Sequence, residues 1–126
     1  MKEPRWLIKS FLFGLHSQLI SEFGGSTGIR DLDRLEAAIE RPKQAYCYGT
    51  TDLFDLAASY ASAIILGHPF IDGNKRVGFM AAVVFLEING KECIAPEIDA
   101  TLSTLALASG QMDETAYAKW LRESCK

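Results

Sequence analysis

Two stretches of this chain carry the same apolar spacing, and the short run between them is unsuited to continuing a helix. Leu53, Leu56, Ala57, Tyr60, Ala61 and Ile64 recur at helical intervals, and Val77, Met80, Ala81, Val84, Phe85 and Ile88 repeat the pattern. Each set is one amphipathic face. Between them Pro69 disfavours helical geometry at His68, and Gly73 frees the backbone before the second helix begins. The chain is thereby committed to a tight helix-loop-helix corner whose two arms share a core.

The rest of the sequence reads in the same way. Ile8, Phe11, Leu12, Leu15 and Leu19 mark an N-terminal helix predicted to stop at Gly24-Gly25, and Leu32, Leu35 and Ile39 mark a short one ending near Arg41-Pro42. The helix that opens near Asn74 closes at Asn89-Gly90, where a left-handed residue is expected. A fifth runs from near Pro96 to Gly110. A sixth has Asp113 as its N-cap and buries Tyr117, Trp120 and Leu121. Only Ala45 to Thr51 and Lys91 to Ile94 have extended character. The expected fold class is all-α, a compact bundle of about six helices. At 126 residues it forms a single domain, residues 1–126.

Composition removes several function classes. A formal charge of −3 with no block of Lys or Arg leaves no electrostatic footprint for nucleic acid, so none is expected as a direct partner. No apolar run approaches the roughly 20 residues that span a bilayer. The patch Phe11-Leu12-Phe13 is flanked by Lys9 and His16, and no small-residue cleavage site follows it. A soluble protein without a membrane partner is expected. Cys47, Cys93 and Cys125 form no C-x-x-C pair and cannot all pair within one chain, which favours free thiols in a reducing compartment, the cytoplasm.

The corner concentrates chemistry: His68-Pro69-Phe70-Ile71-Asp72-Gly73-Asn74-Lys75-Arg76. Asn74, Lys75 and Arg76 open a helix whose N-terminus is already positive. Each cation there costs up to about 1 kcal/mol, whereas each charge-assisted hydrogen bond to an anion contributes roughly 1.5 to 3 kcal/mol. A bound anion removes the conflict. Free helix N–H groups, a glycine that admits a ligand to the backbone, and adjacent Lys and Arg together describe a phosphate site. Asp72 adds a hard oxygen ligand suited to the Mg²⁺ that accompanies a polyphosphate. Taken singly, His68 reads as a helix-end hydrogen-bonder, Asp72 as an N-cap and Gly73 as a turn residue; their concentration in one run argues for a site. His16, Trp6, Trp120 and the cysteines read as structural.

This run resembles the signature of the Fic/Doc family, His-Pro-Phe-x-Asp/Glu-Gly-Asn-Gly/Lys-Arg. Phe23-Gly24-Gly25, Gly28-Ile29-Arg30-Asp31, Leu35-Glu36-Ala37-Ala38-Ile39 and Phe85-Leu86-Glu87-Ile88-Asn89-Gly90 extend the likeness to the compact Doc, or death-on-curing, branch. The resemblance implies the all-α Fic fold and a toxin enzyme that modifies a Ser, Thr or Tyr hydroxyl of a target protein. Elongation factor Tu is the target implied by analogy. It further implies that His68 is the general base, that Asp72 holds Mg²⁺, and that Gly73, Asn74, Lys75 and Arg76 surround the phosphates of ATP.

The donor group is left open between two reactions. AMP-transferring Fic proteins usually carry Gly where this chain has Lys75, and a second Arg where it has Phe79. Doc-like kinases resemble this chain at both positions, which implies transfer of the γ-phosphoryl group. Pro69 and Gly73 match the wider pattern, which keeps AMP transfer as the alternative; a non-catalytic nucleotide- or partner-binding Fic module is a further one. The family's target-aligning flap is assigned by the resemblance to Ala45–Thr51, with Tyr46, Cys47, Tyr48 and Gly49. No glutamate has a Ser or Thr four residues before it, as the self-inhibitory Fic helix would require. The implied control is therefore an antitoxin protein acting in trans.

Overall fold

The structure, a computed structural model, describes residues 2–126 and contains six helices: α1 Lys9–Phe23, α2 Leu32–Cys47, α3 Leu53–Gly67, α4 Asn74–Ile88, α5 Glu97–Ser109 and α6 Glu114–Ser124. Helix α3 is the centre. It packs on α4, α2 and α6, and its residues from Leu56 to Ile65, Ala63 apart, are buried, polar Ser59 and Ser62 included. The all-α expectation is met, and the corner predicted between the two periodic stretches is the turn from α3 into α4.

Small residues bring those two helices close. A Cβ on Gly78 would lie 2.5 Å from Ile65 Cγ1 and 3.1 Å from the Ala61 carbonyl oxygen, so the contact depends on the absence of a side chain. Tyr60 and Phe85 meet across the same seam with ring centroids 5.1 Å apart.

Helix ends follow the sequence signals in most places. Gly24 ends α1, Gly110 ends α5 with φ 85°, and the Asp113 side chain accepts from Ala116 N at 2.7 Å to open α6. Helix α2 departs from expectation. It does not stop near Arg41-Pro42 but runs through Pro42 to Cys47. The apolar stripe explains this: Leu35, Ala38, Ile39 and Pro42 are buried on one face, and Tyr46, one turn on, packs edge-on against Trp6 at 5.6 Å. That packing offsets a proline cost of about 3 kcal/mol.

Two isolated antiparallel bridges complete the fold, Ile29 with Phe70 and Cys93 with Cys125. The second corrects the expectation of three free thiols. Lys91–Ile94 is extended, as anticipated, but its partner is the end of the described chain. Glu92 and Lys126 exchange backbone hydrogen bonds of 2.7 and 2.8 Å, Ile94 N donates to Ser124 O at 2.9 Å, and Cys93 and Cys125 between them form a disulfide. Only Cys47 is free, and the thiol argument for a reducing compartment lapses. Among the described residues no helix is long and apolar enough to cross a membrane.

Candidate functional site

The α3–α4 corner begins with a left-handed histidine. His68 has φ 50° and ψ 55°, and it is the sole non-glycine residue with positive φ among the described residues. An L-residue in this conformation costs about 1 to 2 kcal/mol, so its surroundings must hold it.

They do so almost atom by atom. His68 N donates to Ile64 O at 3.1 Å, closing α3, and His68 O accepts from Arg30 Nε at 2.7 Å. Gly67 O accepts from Arg30 Nη2 at 3.0 Å and Arg34 Nη1 at 3.1 Å. Pro69 O accepts from the backbone N–H groups of Arg30 and Asp31 at 2.8 and 3.0 Å, and Ile71 N donates to Gly28 O at 3.1 Å. Phe70 N donates to Asn74 Oδ1, and Phe70 O accepts from Asn74 Nδ2, both at 3.0 Å. His16 Nε2 lies 2.9 Å from Asp72 O and, since a carbonyl can only accept, is the donor. Its ring also stacks on Phe70, centroids 4.0 Å apart. The loop is thus clamped from α1, from the α1–α2 connection and from the first turn of α4.

His16, read from the sequence as structural, underpins the corner and also lines the cavity beside it. Asn74 is buried, with its side-chain amide committed to Phe70. What Asn74 has left for an anion is its backbone N–H and the second hydrogen of its side-chain amide.

The start of α4 has the makings of an anion site. The first donor of the helix to reach back to a carbonyl is Val77 N, which meets Gly73 O at 3.0 Å. The N–H groups of Asn74, Lys75 and Arg76 precede it at the positive end of the helix. No acidic residue lies in the first turn. Lys75 and Arg76 are exposed, and the Arg76 guanidinium rests 4.3 Å above the Phe23 ring. Gly73 has φ 79°, and a Cβ there would stand 3.3 Å from Ile20 Cδ1, so the approach to the helix end calls for glycine.

Asp72 fits a hard cation beside such an anion. Its carboxylate is oriented by two backbone donors, Gly73 N on Oδ1 at 2.9 Å and Ser26 N on Oδ2 at 3.2 Å, and it stays exposed. Gly25 makes room for it, since a Cβ there would come within 2.7 Å of Oδ2. No group of three or more acidic, His or Cys side chains suited to a metal exists among the described residues. One oriented carboxylate is nonetheless the usual protein share for Mg²⁺, whose other ligands are phosphate oxygens and water.

A cavity of about 310 Å³ opens here, lined by Leu19, Ile20 and Phe23 of α1 on one side and by Asp72, Gly73 and Arg76 on the other. His68, Asn74 and Lys75 do not line it. His68 lies on the other shoulder of the loop with an exposed side chain.

The stretch assigned to a target-aligning flap is differently built from the extended strand expected. Ala45, Tyr46 and Cys47 form the last turn of α2, and Tyr48, Gly49 and Thr50 fold back on that turn through their own backbone N–H groups. Their donors are used locally because α2 continues past Pro42. The backbone that pairs with the motif loop belongs to residues 28–31. Arg30 and Asp31 were visible in the sequence as part of the family pattern, but nothing local to them signalled a contact with His68.

The Fic/DOC family model matches residues 6–86, which cover α1 to α3, the whole corner and α4 as far as Leu86. The chain belongs to the Fic/DOC family. It is 39% identical over 113 residues to the protein kinase Doc of Escherichia phage P1, an alignment covering 88% of each chain. It is 42% identical over 76 residues to the toxin Doc of Mycolicibacterium smegmatis, covering 58% of each. The matched span contains the whole clamped corner.

Proposed function

We propose that this protein is a toxin enzyme of a toxin–antitoxin pair that transfers the γ-phosphoryl group of ATP to a hydroxyl of a target protein. The observation that carries the reading is the corner itself. A histidine on a rigid loop stands next to a helix start that offers three N–H groups and two cations to phosphate. Kinship with the phage P1 protein, named a protein kinase, and with a protein named a toxin supports it.

In the proposed reaction His68 takes the proton of the attacking hydroxyl. The hydroxyl oxygen bonds to the γ-phosphorus, the bond from that phosphorus to the β,γ-bridging oxygen breaks, and ADP leaves. A positioned base of this kind typically supplies about 10²- to 10⁴-fold in rate. The N–H groups of Asn74, Lys75 and Arg76, with the Lys75 and Arg76 side chains, hold the phosphates, and Gly73 lets them approach. Asp72 would hold Mg²⁺, which neutralises charge on the phosphate oxygens. Elongation factor Tu is the proposed target, an antitoxin protein the proposed inhibitor and the cytoplasm the proposed location.

Incubation of the protein with elongation factor Tu, and separately with bacterial extract, in the presence of Mg²⁺ and ATP labelled at the α- or γ-phosphate tests the reading. Label from the γ-position alone, with a mass increase of one phosphoryl group, is expected. Incorporation of α-label would mean AMP transfer. Absence of label from every protein would leave a binding module.

A further inference from the structure

From the contacts at the end of α3 we infer that Arg30 is a positioning residue for His68. The inference rests on the reading of His68 as general base, but it has a structural half that can be tested without activity. The last turn of α3 contains no basic residue, and the helix ends on the left-handed His68. A helix C-terminus leaves carbonyls without partners and carries partial negative charge. Both needs are met here from another part of the chain. Arg30 Nε donates to His68 O at 2.7 Å and its Nη2 donates to Gly67 O at 3.0 Å, a fork that spans the peptide unit on which the histidine turns.

The same residue also grips the loop through its backbone. Arg30 N donates to Pro69 O at 2.8 Å, and Asp31 N adds a second bond at 3.0 Å. One residue thus holds the carbonyls of Gly67, His68 and Pro69, the consecutive positions that set the direction of the imidazole. Arg34 reinforces the helix end alone, donating to Gly67 O at 3.1 Å, and it is held in turn by Asp31 through Oδ2 at 3.4 Å from its Nε. The two arginines therefore have different reach: Arg34 caps the helix, whereas Arg30 caps it and fixes the residue beyond it. The geometry needs a guanidinium, because a lysine ammonium is a single point of charge and does not reproduce a planar fork across two successive carbonyls.

The consequence is kinetic. Removing the Arg30 side chain leaves the phosphate end of the corner intact, since that end is built from Gly73, Asn74, Lys75 and Arg76. It frees the His68 peptide to leave its left-handed state. A base displaced by about 1 Å can cost on the order of 100-fold in rate.

The experiment compares Arg30→Ala, Arg30→Lys and Arg34→Ala with the parent chain. Measured are γ-phosphoryl transfer to elongation factor Tu, ATP affinity, thermal melting, and the ¹³Cα and ¹³Cβ chemical shifts of His68, which report its backbone conformation. For Arg30→Ala we expect kcat to fall about 10- to 100-fold with the KM for ATP changed less than about two-fold, together with movement of the His68 shifts away from the left-handed range. Arg30→Lys should recover part of the rate, and Arg34→Ala should lower the melting temperature with a smaller loss of kcat. Parental kcat and unmoved His68 shifts in Arg30→Ala would overturn the inference. So would a rate loss explained wholly by weaker ATP binding. If Arg30→Ala does not fold, the kcat against KM split and the His68 shifts of Arg30→Lys decide in its place. If the parent transfers no phosphoryl group, the reading of function fails, while the His68 shifts still decide whether Arg30 sets the conformation.

Discussion

Between α3 and α4 the helices meet through Gly78, Ala61, Ile65, Tyr60 and Phe85, and the contact is buried, close and set by shape. At the corner from Gly67 to Gly73 the same two helices are joined by backbone whose carbonyls and N–H groups are met by Arg30, Arg34, Asn74, His16 and residues 28–31. The seam offers no polar group to a ligand and tolerates no added volume. The corner exposes the side chains of His68, Asp72, Lys75 and Arg76 while its main chain is held. Strength and chemistry are thus separated along one helical hairpin, and substitutions should act on one or the other.

The largest effect should fall on the corner and leave the seam untouched. His68→Ala is expected to reduce transfer by about 10²- to 10⁴-fold, with melting temperature and ATP affinity close to parental. Transfer within a few-fold of the parental rate would remove His68 from the role of base.

Gly78→Val is the converse, a change on the buried face of α4 that strikes packing. Added volume at such a contact costs about 1 to 3 kcal/mol, sometimes more, and the upper end is expected because the obstacle includes the Ala61 carbonyl. The denaturant midpoint would show it. A loss under about 1 kcal/mol would mean that the seam can open without penalty.

Alkaline pH separates the regions without mutation. Burial pushes the hydroxyls of Tyr60 and Tyr117 up to about 12, although the Leu7 N–H and Thr104 respectively act in the opposite sense. In the unfolded chain a tyrosine ionises near pH 10. The fold therefore favours the neutral phenol. That contribution is whole below pH 10 and is lost as pH rises through 12, by about 2 to 3 kcal/mol for each tyrosine. Urea titrations from pH 9 to pH 12 should show stability falling with a slope that Tyr60→Phe and Tyr117→Phe each reduce. A slope unchanged in both variants would assign alkaline unfolding to other groups.

Asn74→Ala tests the polar clamp. It leaves Phe70 N–H and C=O without their partners in a buried place, a loss of about 1 to 3 kcal/mol by chemical denaturation. If transfer falls much more than stability, Asn74 acts on the nucleotide and not only on the loop.

The smallest effect has the opposite sign. His68→Gly relieves a left-handed L-residue and should raise stability by up to about 1 kcal/mol, less the extra freedom glycine has when unfolded, while removing transfer. A melting temperature below that of His68→Ala would show that the conformation at position 68 carries no strain.

Much of the fold was legible because helical periodicity is a local property. The apolar spacing of α3 and α4, glycines at the ends of α1 and α5, and the Asp113 cap each depend on neighbours a few residues away. Pro42 misled for the same reason. Its local signal says stop, but burial of the stripe from Leu35 to Tyr46 outweighs it. The disulfide escaped because Cys93 and Cys125 lie 32 residues apart with nothing in the spacing to pair them.

At the site the sequence by itself determined which residues are concentrated at the corner, since His68 to Arg76 are contiguous and their chemistry is written in their identities. The tertiary structure alone decided what each is free to do. It spent the amide of Asn74 on Phe70, set His16 beneath Asp72, kept Tyr46 to Gly49 on the end of α2, and brought Arg30 to His68. The contacts of Arg30 with His68 and of His16 with Asp72 join residues 38 and 56 apart in the chain. Such contacts depend on how α1, α2 and α3 pack together, and packing is a property of the whole chain that no local pattern encodes.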